Sequence, residues 1–100
     1  MKLDILAIAA HPDDAELSCV GTMMVAKSQG KKIGIVDLTQ GELGTRGTAD
    51  TRKEEAAAAS EVMGLDARVN LKMADGFFQN TKENQLKIIQ QLRKYQPDVV

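Results

Sequence analysis

The chain has 100 residues, 43% of them hydrophobic, and carries a formal charge of -1, a mixture that excludes a disordered chain and suits one small globular domain. Its basic residues gather only as Lys31-Lys32 and Arg93-Lys94, and its longest apolar run is Ile5 to Ala10. No footprint for nucleic acid or an anionic membrane is present, and nothing is long enough to span a bilayer, so the expected partner is a small molecule.

Leu3 to Ala10 is almost continuously apolar and ends at His11-Pro12, as expected for a parallel strand buried on both faces. The acid Asp4 precedes the run, unlike a secretory signal. Cys19 as the only cysteine leaves no intrachain disulfide, which fits a reducing compartment. Cytoplasmic location is the expectation. From Glu16 to Gln29 the residues Leu17, Val20, Met24 and Val25 recur at three and four, with Gly30 as the left-handed stop, which predicts a helix with those residues inward.

Ile33 to Leu38 repeats the buried-strand pattern, and Thr39 to Ala49, with Gly41, Gly44 and Gly47, reads as a loop. Asp50 or Thr51 is placed to cap the next helix, since Thr51-x-x-Glu54 has capping-box spacing, and its alanines permit close packing up to Met63 and Gly64. Arg68 to Met73 is a weaker strand candidate, followed by a turn at Asp75-Gly76. Thr81 opens a third helix with Ile88, Ile89, Leu92 and Tyr95 on one face, and Pro97 ends it near Gln96. Asp98-Val99-Val100 starts another strand.

Strands alternating with helices imply right-handed crossovers and an α/β fold, a Rossmann-like parallel sheet with flanking helices and ligands at the carboxyl ends of the strands. With its last strand just begun, residues 1–100 are expected to form the N-terminal part of a single domain, truncated at the C-terminal end.

The turn after the first strand is His11-Pro12-Asp13-Asp14-Ala15-Glu16. A nucleotide-binding unit would carry glycines there. Three carboxylates in four residues repel phosphate, yet they suit a divalent cation, with His11 as a nitrogen ligand. Pro12 stiffens the turn, so His11 and Asp14 can converge on one ion while Asp13 points elsewhere and is free as a base. The same residues can also be a plain strand end followed by helix caps.

The run Ala10-His11-Pro12-Asp13-Asp14-Ala15-Glu16 resembles the AHPDD signature of the PIG-L/LmbE-like deacetylases, zinc enzymes acting on N-acetylglucosamine derivatives. Leu38 to Thr48, Arg52 with Glu55-Ala56, and Asp75-Gly76-Phe77-Phe78 extend the likeness over the whole chain. It is most similar to the bacillithiol-biosynthesis branch, whose substrate is N-acetylglucosaminyl-malate. The resemblance implies that His11 and Asp14 bind Zn2+, with Fe2+ as the alternative in the cell, and that Asp13 is the general base. The family's third ligand is a histidine from a later loop, and His11 is the only histidine here. The 100 residues alone are therefore expected to bind zinc weakly and to be inactive, the full-length protein being a homo-oligomer.

Arg52 stands in the first turn of a helix, where a cation opposes the macrodipole; the resemblance implies that it contacts the ligand's acyl or carboxylate end, and the plain alternative is a surface pair with Glu54 or Glu55. Arg46 suits a malate carboxylate. Asp75 either holds sugar hydroxyls or only makes its turn. Glu16 is an acceptor for the second nitrogen of His11 or serves the helix N-terminus. Glu42 orients a ligand or is solvated, Cys19 is a small buried helix residue, and Phe77 and Phe78 are expected to pack. The resulting expectation is a metal-dependent deacetylase; the rivals are a non-catalytic metal- or sugar-binding relative and a nucleotide-binding domain, which the missing phosphate loop disfavours.

Overall fold

The computed structural model describes every residue from Met1 to Val100. Strand β1 (Ile5–Ala9) leads into helix α1 (Asp14–Ser28), β2 (Ile33–Thr39), α2 (Ala49–Met63), β3 (Ala67–Met73) and α3 (Lys82–Tyr95). The strands form a parallel sheet in the order β1-β2-β3. After α3 the chain returns to the free edge of β1, where Val99 makes a single parallel bridge to Ile5. Successive strands thus depart to opposite sides of β1, and its carboxyl end is the topological switch point at which such sheets bind ligands.

Alternation along β2 sorts the core into two layers. Ile33 and Ile35 face α1 and α2 with Ala15, Met23, Ala26 and Met63. Val36 lies on the other face with Leu3, Leu6 and Tyr95 of α3. Each fully buried aliphatic side chain contributes about 1.5–3 kcal/mol relative to exposure. No helix is long and apolar enough to cross a membrane.

Three expectations are corrected. In α1 the inward stripe is Ala15, Met23 and Ala26, with Cys19 and Val20 beside it, whereas Leu17, Met24 and Val25 are exposed, Leu17 at 84%. Small residues let the helix approach the sheet, and that close approach decides between two stripes of similar spacing. Helix α2 is capped by Thr48, whose hydroxyl accepts from the Thr51 amide at 3.1 Å; neither Asp50 nor Thr51 is the cap. The alanines of α2 do not give close packing: only Met63 of that helix is buried, and a cavity of about 470 Å³ opens between it and the sheet.

Candidate active site

The carboxyl end of β1 is held by β2, because the Thr39 amide and hydroxyl donate to the Ala10 carbonyl at 3.0 and 2.9 Å. His11 follows at once. Its backbone N–H donates to Asp14 Oδ2 at 3.0 Å, and the Asp14 amide donates back to the His11 carbonyl at 3.2 Å. This closed turn sets the His11 ring beside the Asp14 carboxylate, with Nδ1 at 3.2 Å from Oδ2.

The other ring nitrogen, Nε2, lies 2.8 Å from Asp75 Oδ1, a residue that arrives from the end of β3. Asp75 is only 6% exposed. Its second oxygen accepts from the Leu43 amide at 2.9 Å, and its own amide donates to Glu42 at 2.9 Å. Both carboxylate oxygens are thus engaged inside the protein, which gives Asp75 a role that an Asp-Gly turn signal did not reveal. Glu42, in turn, fixes the backbone of Asp75. Flanked by two carboxylates, His11 has its pKa raised above the ordinary 6.5, first by the hydrogen bond to Asp75 and then by Asp14, against some desolvation. Asp75 is pushed below the usual 3.8, chiefly by the Leu43 amide and further by His11.

Donors about 2.0–2.2 Å from a tetrahedral zinc ion stand roughly 3.3 Å apart, and Nδ1 and Asp14 Oδ2 are separated by 3.2 Å. The Nε2–H bond to a buried carboxylate is the arrangement that orients metal-ligating histidines. The pair therefore fits two ligands of a zinc site. No group of three His, Cys, Asp or Glu side chains in residues 1–100 is arranged to hold an ion.

Asp13 stands at the N-cap of α1 in a left-handed conformation, φ +91°, and its side chain makes no capping bond. The plain capping reading fails for this residue. Asp13 is exposed, between His11 and Asp14 in the chain, where a base can meet water. Holding a non-glycine residue at positive φ costs about 1–3 kcal/mol, a strain that clusters at functional sites.

Arg52 is half-buried and reaches back to the turn, its guanidinium donating to the Pro12 carbonyl at 3.4 Å. A Cβ at Gly41 would stand 2.6 Å from Nη1, and one at Gly44 2.9 Å from Nη2. These glycines make room for the arginine; only Gly41 of the two also needs positive φ. Arg46 is exposed on the same loop, and Phe77, at 75% exposure, does not pack as expected.

Sequence reasoning missed Arg68. Its guanidinium is 12% exposed and bonds Asp37 at 2.8 and 3.2 Å and Glu16 at 3.2 Å. Glu16 is thereby drawn away from His11 to tie the first turn of α1 to β2 and β3. Burial pushes the Asp37 carboxyl above its ordinary value in spite of the arginine. An acid within the otherwise apolar run of β2 and a base at the start of β3 were the available signal.

Comparison with known proteins places these features in a family context. The family described as PIG-L, GlcNAc-PI de-N-acetylase, matches residues 6–100. The uncharacterized deacetylase YaiS of Escherichia coli K12 is 41% identical over 71% of this chain and 38% of its own length. The conserved protein TT1542 of Thermus thermophilus superposes with a TM-score of 0.89 at 48% identity, over 95% of this chain and 43% of its own. The N,N'-diacetylchitobiose deacetylase of Pyrococcus horikoshii gives 0.88 at 27%, over 95% and 39%. GalB of Pseudomonas putida KT2440, a 4-carboxy-2-hydroxymuconate hydratase, gives 0.81 at 27%, over 99% and 46%. The matched residues thus make up less than half of each of these proteins.

Proposed function

The chain belongs to the PIG-L de-N-acetylase family, and from that premise we propose that it supplies the catalytic turn of a zinc-dependent hydrolase. The substrate is an N-acetylglucosamine conjugate, with N-acetylglucosaminyl-malate of bacillithiol biosynthesis as the narrow assignment. The observation that carries this is the division of labour in one turn. His11 and Asp14 present two donors 3.2 Å apart, while Asp13 between them is left free.

His11 and Asp14 would hold Zn2+, or Fe2+ in the cell, which when bound would supply Lewis-acid chemistry to water and to the amide carbonyl. Asp75, accepting from Nε2–H, leaves the Nδ1 lone pair of the neutral His11 ring for the metal. Asp13 takes the proton of the attacking water and returns it to the departing nitrogen as the C–N bond breaks, giving acetate and the free amine. Arg52 meets the acyl or carboxylate end of the substrate, and Arg46 a malate carboxylate. The remaining ligand is assigned to residues outside this chain, in keeping with relatives of which the match covers only 38–43%. Residues 1–100 alone are accordingly proposed to hold zinc weakly and not to turn over.

The test is acetate release by a chain extended to the length of its relatives, offered N-acetylglucosaminyl-malate and plain N-acetylglucosamine. Faster release from the malate conjugate supports the narrow assignment, and equal, negligible rates on both sink it. Because the fold also carries GalB, a carboxylated 2-hydroxymuconate belongs in the same assay; its hydration without acetate release would select the other chemistry.

A further inference from the structure

Strand β3 is apolar on one face only. Ala67, Val69 and Leu71 pack against the α3 layer, whereas Arg68, Asn70 and Lys72 line the cavity beneath α2. At about 470 Å³ it lies within the range of small-molecule sites. Pro12 forms part of its wall, so it opens beside the catalytic turn. Ala56 and Ala57 leave the space that larger side chains would fill.

Most polar groups around it are already satisfied. Arg68 is taken by Asp37 and Glu16. The Asn70 amide donates to the Thr39 carbonyl, and its oxygen accepts from the Lys72 backbone. The Ser60 hydroxyl donates to Ala56 and accepts from Arg68. The donors left over at the cavity are the exposed Lys53 and Lys72 ammonium groups at its rim and the half-buried Gln40 side chain. Lys72 is also held at φ +54°, where the pairing between β2 and β3 slips. The irregularity lets Met73 bury while Lys72 stays at the cavity. Such bulges re-aim side chains next to active sites.

We propose that this cavity is a binding site for a small oxyanion, a carboxylate or phosphate group gripped by Lys53 and Lys72 and hydrogen-bonded by Gln40. The chemistry follows from the donors left over: two cations and an amide call for a ligand whose oxygens only accept. Arg68 takes no direct part, because its charge is already compensated. The inference does not rest on deacetylation, since binding is measured without turnover.

The test is a titration of the protein with inorganic phosphate and, separately, with succinate at low ionic strength, followed by amide and side-chain NMR shifts. Saturable binding that moves Gln40, Lys53 and Lys72 is expected, weakening roughly tenfold for each ammonium removed in Lys53→Gln and Lys72→Gln. Lys31→Gln, the same charge change outside the cavity, leaves affinity unchanged. The tighter of the two anions identifies the group. Absence of saturation with both, shifts confined elsewhere, or an equal loss in Lys31→Gln overturns the proposal; a native-like spectrum of each variant shows that folding is not the cause.

Discussion

His11 Nε2 lies 2.8 Å from Asp75 Oδ1, so two residues 64 positions apart meet where the ends of β1 and β3 converge. Asp75 is the positioning residue of the site. Its carboxylate is fixed by the Leu43 amide, its backbone by Glu42, and the ring of His11 is oriented as a result.

Asp75→Asn weakens zinc binding by about 10–100-fold, the usual cost of losing a partner behind a metal ligand. Competition with a chelator of known affinity measures it. Asp14→Asn, which alters a proposed ligand, is expected to cost more than Asp75→Asn does.

His11 is the only histidine, so its ring proton gives one unambiguous NMR titration. In the metal-free protein its pKa lies above 6.5, and it falls in Asp75→Asn. A raised folded-state value means that the contribution of His11 to stability is complete below 6.5 and disappears as pH rises through the folded value. Asp75, lowered below 3.8, contributes above 3.8 and loses its contribution as pH falls through its folded value. Zinc, which needs the neutral ring, binds less well as pH drops through the His11 value. A titration at or below 6.5 contradicts this account.

Arg68→Ala leaves Asp37, 3% exposed, and Glu16 without their partner, and destabilises the protein by about 3–5 kcal/mol in urea unfolding. Because the folded-state pKa of Asp37 is already raised by burial and rises further in the variant, protonation relieves the stranded charge. The loss is therefore greatest at neutral pH and shrinks on acidification.

Gly44→Ala pushes the Arg52 guanidinium, a flexible end, from its seat and crowds the Gly41 carbonyl at 3.2 Å, with no positive φ to strain. Stability changes by less than about 1 kcal/mol, and in the extended enzyme KM for a carboxylated substrate rises. Gly41→Ala displaces the same guanidinium and also places a side chain at φ +64°, adding about 1–2 kcal/mol of backbone cost. Thermal unfolding and KM together separate the two variants.

The layered fold and the His11–Asp14 turn were legible because each depends on neighbouring residues: apolar runs, the Thr81 cap and a spacing of three. Stripe choice in α1 was not, because Leu17, Val20 and Met24 recur at the same intervals as Ala15, Cys19, Met23 and Ala26, and only the distance of closest approach to the sheet decides. Leu17→Ala is accordingly near neutral, whereas Met23→Ala costs about 2–5 kcal/mol. Asp75 and Arg68 escaped for another reason. Their partners are supplied by strand register and by loops meeting at the sheet end, and local signals at those positions announced only a turn and a weak strand.

The central claim is that one turn divides into ligands and a base, and zinc titration of Asp13→Asn beside Asp14→Asn tests it most directly. Asp13→Asn is expected to retain the affinity of the unaltered protein while Asp14→Asn loses it; equal losses in both, or retention in both, would contradict the assignment.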